Sequence, residues 1–319
     1  MSGITLSFAG TLIAVTGSNF TWTIRTLPSS SAWGPVGWNG TVFCVLGGYG
    51  YATASAATSP DGTTWTARTL PVALTWTSIA WNGTVFCATA GLSSSSTAIT
   101  SPDGITWTAR TMPSTTYWSG LAWNGTVFCA LGGGSGTAST SAATSPDGIT
   151  WTARTLPSSA MWAYLAWNGT VFCAMAGPQQ YGGAQVAQAT SPDGITWTAR
   201  TMPSTTYWSG LAWNGTVFCA VAGSFNTTNI AATSPDGITW TAHTLPSTDH
   251  WSSLAWNGYV FLTFATYGAT TSAATSPDGI TWTARTMPVS AIWNSAVSNG
   301  TLTVAIATNT SSAATSPLH

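Results

Sequence analysis

The chain has 319 residues, of which 12% are aromatic and only 4% charged; its six cations are all arginine, its seven acids all aspartate, and its net charge is −1. That balance excludes a nucleic-acid binder, which needs a basic face to neutralise phosphates, and a polybasic membrane-surface binder. No run of 18 apolar residues is present, so no helical membrane insertion is expected, and the start, Met1-Ser2-Gly3-Ile4-Thr5, shows no secretory leader.

Read in chain order, the sequence is a tandem array. Two short apolar stretches, Ile4 to Phe8 and Thr11 to Val15, read as head strands. A diverged unit, Phe20-Thr21-Trp22-Thr23-Ile24-Arg25, follows. The motif Ser-Pro-Asp-Gly-Ile-Thr-Trp-Thr-Ala-Arg then recurs, with its Trp at 65, 107, 151, 197, 240 and 282. Counted from Trp22, these Trp residues are spaced by 43, 42, 44, 46, 43 and 42. A period of 40–50 residues with alternating strand patterns signals a β-propeller, one four-stranded blade per repeat. Residues 101–130 and 191–220 are identical.

One unit, residues 117–151, shows the expected blade. Tyr117 to Trp123 is a first strand. Asn124-Gly125 reads as a type I′ hairpin turn, which needs φ > 0 twice. Thr126 to Leu131 is a second strand, followed by a Gly/Ser-rich loop. Ser141 to Thr144 is a third. Ser145-Pro146-Asp147-Gly148 is a turn, with Pro setting φ and Asp bonding nearby amides. Ile149 to Arg154 is the fourth. No stretch has helical period. The tail, Ile292 to Pro317, supplies a first, second and third strand, and the head supplies an orphan fourth around Trp22. Pairing them closes the ring and removes the exposed edges. The expectation is an all-β, seven-bladed propeller forming a single domain over 1–319. Eight blades, two of them incomplete, is the alternative.

Ser-Pro-Asp-Gly-Ile-Thr-Trp resembles the Asp-box (BNR) repeat of sialidase-like propellers, in six copies across nearly the whole chain. Here Asp and Gly are adjacent, whereas the usual box has one residue between them. The resemblance implies a structural turn on the blade rim for Asp61, Asp103, Asp147, Asp193, Asp236 and Asp278. A sialidase site does not follow. The chain has no Glu, its arginines repeat at one position instead of converging, and only Asp249 lies outside the repeats. The two carboxylates of a glycosidase are equally hard to find. The size and Trp content are also similar to the seven-bladed propeller lectins, as an architectural analogy.

The remaining chemistry is sparse. Cys44, Cys87, Cys129, Cys173 and Cys219 share one repeat position, which reads as apolar packing. There is no C-x-x-C, no metal site is expected, and no cofactor is implied. His250 beside Asp249 lacks a nucleophile, so no catalytic residue is expected and the chain reads as not an enzyme. Asn-Gly-Thr, as at 39–41, 82–84, 124–126, 168–170 and 214–216, matches the glycosylation sequon, but a turn accounts for it.

Tryptophan carries the information, with three per repeat. The outer Trp follows the Pro-Asp-Gly turn, and the hairpin Trp precedes Asn-Gly; both read as core. The entry Trp opens the first strand, at Trp33, Trp76, Trp118, Trp162, Trp208, Trp251 and Trp293. Five residues separate it from the hairpin Trp, so a continuous strand points them to opposite faces. Above small residues such as Gly120 and Ala122, it is either inter-blade packing or a ligand shelf. Variation between repeats gathers in the loop after the second strand and in the segment before the entry Trp, which lie at one end of the blades. That diversified end is where function is expected.

The expected function is recognition of a glycan or cell-surface polysaccharide at Trp-lined shelves, with Tyr117, Tyr207, Arg110 and Arg200 beside them. The alternative is a component of a phage virion or similar particle, in contact with other virion proteins. A virion or extracellular surface is the suspected location.

Overall fold

A computed structural model describes residues 20–92, 94–134, 136–177, 185–223 and 226–318. The two head strands expected at Ile4 to Phe8 and Thr11 to Val15 lie outside these residues. The described chain is all β, built of repeated antiparallel four-stranded sheets. The first unit runs Trp33–Trp38, Phe43–Gly47, Thr53–Ser59 and Thr66–Leu74, in that spatial order. Four more separate sheets repeat it, starting at Trp76, Trp118, Trp162 and Trp208.

The last sheet is seven-stranded because one strand serves two units. Thr283–Ser298 is the fourth strand of the unit that starts with Trp251–Trp256. From Ile292 onward it is also the first strand of the next, pairing with Leu302–Thr308. Thr310–Pro317 follows, and Thr23–Ser31 from the head of the chain completes the unit, with Thr23 opposite Thr315 and Arg25 opposite Ala313. The head-to-tail closure expected from the sequence is therefore present. Each unit's first strand also touches the first strand of the next unit, and the one containing Trp293 returns to touch Trp33–Trp38. The innermost strands thus form a closed ring.

Two local readings need correction. The Asn-Gly turn is not a two-residue type I′ turn. Only the glycine has positive φ, 98° at Gly125. The Asn124 side chain accepts from the amides of Thr126 and Val127 at 2.9 and 2.7 Å, and the connection spans Asn124 to Val127. An Asx-type bond inside the loop has replaced the second left-handed residue. The segment before the entry Trp is also not a loop. It is the end of a bulged fourth strand: Thr97 faces Thr111 and Ser95 faces Thr116, so the one residue between them on one strand opposes four on the other. Inside each bulge one apolar side chain, such as Met112 or Leu156, is buried and anchors it.

The Ser-Pro-Asp-Gly turns form as expected. Asp147 Oδ1 accepts from the amides of Ile149 and Thr150 at 2.8 and 3.0 Å and from Ser145 Oγ at 3.1 Å. Gly148, at φ +75°, leaves room that a Cβ would contest with Thr100 of the preceding unit at 3.0 Å. The outer Trp151 closes the turn by donating its indole N–H to Gly148 O at 3.0 Å.

The core lies between sheets. Seven apolar clusters occur among the described residues, and each mixes side chains of adjacent units. Cys44 and Leu46 of the first unit pack with Trp76, Phe86 and Trp107 of the second. Each cysteine sits under the turn glycine of the next unit, as Cys129 under Gly194 and Cys219 under Gly279. In the closing unit Val304 takes that place under Gly62. All five thiols are free and buried. Burial pushes each one up, that of Cys173 to about 12.

Candidate functional site

The structure places the expected site residues apart. The seven entry tryptophans are at most 1% exposed. Six donate their indole N–H to a backbone carbonyl four residues earlier, as Trp208 to Ser204 O at 3.1 Å. They are packed between units and present no open shelf. The cause is a register shift between Trp118 and Gly120. The extra residue breaks strict alternation, so Trp118, Leu121 and Trp123 meet in one cluster. The small residues on this strand serve close approach of strands: a Cβ on Gly120 would meet Ala163 O and Leu165 Cβ at 3.3 Å.

Tyr117 and Tyr207 are half-buried single-residue links between units. Their carbonyls accept from the amides of Gly133 and Gly223 at 2.7 and 2.9 Å, which ties down the diversified loops. Arg110 and Arg200 lie on fourth strands, and each Nε donates to a threonine on the third strand, Thr100 at 2.9 Å and Thr190 at 3.2 Å. Those threonines immediately precede the Ser-Pro-Asp-Gly turns. The guanidinium therefore leans along the sheet toward the uniform end, not the diversified one as the backbone position had suggested.

What the innermost strands do enclose is a funnel of about 540 Å³ at the diversified end. Every unit contributes the residues just after its entry Trp, among them Gly34, Thr77, Ser119, Ala163, Ser209, Ser252 and Asn294. The loops after the second strands supply its rim, with Tyr49, Leu92, Gly134, Gly136 and Gly177. The strands around it are stapled by hydroxyls. Ser209 Oγ donates to Trp251 O at 2.6 Å, Ser295 Oγ to Gly34 O at 2.7 Å, and Ser78 Oγ to Ser119 O.

Among the described residues, the lining holds no arginine, aspartate, histidine or cysteine. Its polar groups are hydroxyls, one carboxamide and backbone amides, interleaved with apolar ledges at Pro35, Met161, Leu211 and Leu254. No cluster able to hold a metal ion occurs among the described residues. His250 stacks on Tyr267 with ring centroids 4.4 Å apart, and its Nδ1 lies 3.2 Å from Gly223 O. The Asp249 carboxylate instead accepts from the His250 backbone amide at 2.8 Å. No acid–base dyad forms.

Solved structures share this architecture. Virginiamycin B lyase from Staphylococcus aureus is similar with a TM-score of 0.78 at 9% identity, over 94% of this chain and 99% of that one. YCF48 from Cyanidioschyzon merolae is similar with a TM-score of 0.66 at 12% identity, over 93% of this chain and 98% of that one. The β-propeller domain of Myceliophteria thermophila Cps50 (Swd1) gives 0.66 at 12% identity, over 93% and 100%.

The fold is a β-propeller.

No protein-family model matches the sequence, and no curated protein matches it either. The Asp-box likeness therefore rests on the turn residues themselves. The propeller relatives do correct one expectation, that the chain is not an enzyme. Virginiamycin B lyase is an enzyme on this fold, so the fold does not exclude catalysis. At this identity the likeness carries the fold and assigns no reaction.

Proposed function

We propose that the chain is a seven-bladed propeller whose funnel at the diversified end binds a carbohydrate. The blade count rests on the strand sharing described above: five separate sheets, and a seven-stranded sheet that supplies two more units. The observation that carries the ligand class is the funnel lining. It offers hydroxyl, carboxamide and backbone groups beside apolar ledges and tyrosine rings, with no ion. Sugars are neutral, dense in hydroxyls that both donate and accept, and carry C–H faces that lie on aromatic or aliphatic ledges. The volume falls in the range of small-ligand sites, roughly 300–1,000 Å³. Placing the site at the axis, in place of the covered tryptophans, makes it one pocket shared by all blades.

A glycan array followed by calorimetry tests this. Leu92→Trp narrows the mouth and should weaken binding at least tenfold. Ile195→Ser, on an exposed turn at the opposite end, should leave it unchanged. Equal binding by wild type and Leu92→Trp, or loss in Ile195→Ser alone, refutes the funnel.

A further inference from the structure

One position in the funnel breaks the repeat. The second residue after the entry Trp is Pro35, Ser78, Gly120, Gly210, Ser253 or Ser295 in six units, and Tyr164 in the remaining one. The Tyr164 ring packs against the cluster containing Trp208 and Leu211, and its side chain lines the funnel. Tyr49 reaches the same funnel from a diversified loop of the first unit, about halfway round the ring. The backbone sets it there: the amides of Gly48 and Tyr49 both donate to Ala32 O, at 2.6 and 2.8 Å. Tyr49 lies within electrostatic reach of Tyr164.

We propose that Tyr49 and Tyr164 are the specificity-determining pair of the funnel, two phenol donors that engage oxygen acceptors of an uncharged ligand, in a lining whose described residues offer an anionic one no opposite charge. This rests on the carbohydrate reading for the ligand's chemistry. First, neither phenol has a hydrogen-bond partner among the described residues, while the neighbouring hydroxyls of Ser209 and Ser295 are spent on backbone carbonyls. The phenols are thus side-chain donors left for a ligand. Second, no cation is among the described residues that line the funnel, so a carboxylate or sulfate entering it loses water and gains no opposite charge from them. Third, desolvation by the funnel wall raises both phenols above the ordinary tyrosine value, although Tyr49 keeps 38% of its surface exposed, and Tyr49 raises Tyr164 further. They stay protonated, and stay donors, throughout the neutral range. Every other unit has Pro, Gly or Ser at this position, so Tyr164 is the one aromatic residue in the column.

The test uses the whole chain and matched saccharides: cellotriose and maltotriose against tri-galacturonate and 3′-sialyllactose. Wild type should bind at least one neutral trisaccharide at least tenfold more tightly than either acidic one. Tyr49→Phe and Tyr164→Phe should each weaken that binding about tenfold with unchanged melting. Absorbance at 295 nm should show two late-titrating tyrosines, one lost in each variant. Tyr164→Ser, which restores the residue of three other units, should fold and bind no better than Tyr164→Phe. Binding of both Phe variants at wild-type strength, or preference for an acidic saccharide, overturns the pair. If Leu92→Trp abolishes binding while the Phe variants keep it, the funnel stands and the pair falls. If Leu92→Trp has no effect, or no saccharide binds, both fall.

Discussion

Raising the pH should unfold this protein steeply, and the five buried cysteines set the steepness. Each thiol is 0% exposed, and burial lifts each well above its ordinary value of 9.0. In the unfolded chain the same thiols ionise near that ordinary value. Above about pH 9 the unfolded state therefore binds fewer protons than the native state, and stability falls as pH rises. Below pH 9 both states hold the proton and the stability is fully present. One proton contributes about 1.4 kcal/mol per pH unit once ionisation of the unfolded thiol is complete. Five give a limiting slope of about 7 kcal/mol per pH unit, enough to cancel an ordinary stability of about 5–15 kcal/mol within one to two units. Guanidinium melts followed by circular dichroism at pH 7, 8, 9, 10 and 10.5 measure the slope. Cys87→Val copies the residue at the equivalent place in the closing unit, Val304, and should cut the slope by about a fifth. Flat stability to pH 10.5, or a slope that Cys87→Val leaves unchanged, refutes the linkage.

Four further outcomes are expected. Asp147→Ala removes the acceptor for two turn amides and a serine hydroxyl, and should cost about 1–2 kcal/mol by denaturant melts. Burial alone would raise the Asp147 carboxyl, but the hydrogen bonds from Thr150, Ile149 and Ser145 outweigh it and hold it below the ordinary range; the stabilisation is present above about pH 4 and is lost as pH falls through the lowered native value. Gln188 is buried where the other six units carry alanine, and its Oε1 has no partner; Gln188→Ala should leave stability equal or higher, by up to about 1–3 kcal/mol, despite losing the bond from Nε2 to Gly237 O at 2.5 Å. Trp118→Ala should cost about 3–5 kcal/mol of stability, as a core truncation does. Trp76 is the entry tryptophan whose indole N–H has no partner, so Trp76→Phe should cost about 1 kcal/mol less than Trp208→Phe, measured by the same melts.

The fold was legible because each unit repeats its own signals. Pro-Asp-Gly, Asn-Gly and alternating apolar residues recur at fixed spacing, and the orphan strand around Trp22 had one place to go, beside Thr310–Pro317. The candidate site was not legible, for two physical reasons. Alternation along a strand assigns faces only while the register is unbroken, and a shift just after each entry Trp turned a predicted shelf into core. A long side chain also need not act where its Cα sits, and the arginines lean back toward the opposite end of the blade. The diversified loops were found from sequence, yet their target was not. Only the ring closure shows that loops from several units converge on one axis. One signal was available all the same: Tyr164 stands alone in a column of Pro, Gly and Ser.

That column shows how a near-identical scaffold can carry a particular site. The innermost strands approach so closely that a Cβ on Gly210 would meet Leu254 Cβ at 2.7 Å, so this position is held small by packing. A ring of identical small residues would give a symmetric, featureless channel. Placing one tyrosine in the fourth unit gives the ring a single large side chain that no other unit duplicates, while the turns, cysteines and tryptophans that hold the blades together remain untouched. The phenol ring of Tyr164 lies beside Gly177 of its own unit, where a Cβ would meet Tyr164 Cε2 at 3.3 Å. On the proposed reading, specificity takes a change in one inner-strand residue and in one loop, and the two tyrosines are those changes. It follows that moving the pair to another unit is harder than removing it: Ser295→Tyr would have to displace the bond from Ser295 Oγ to Gly34 O, loosening the seam where the ring closes.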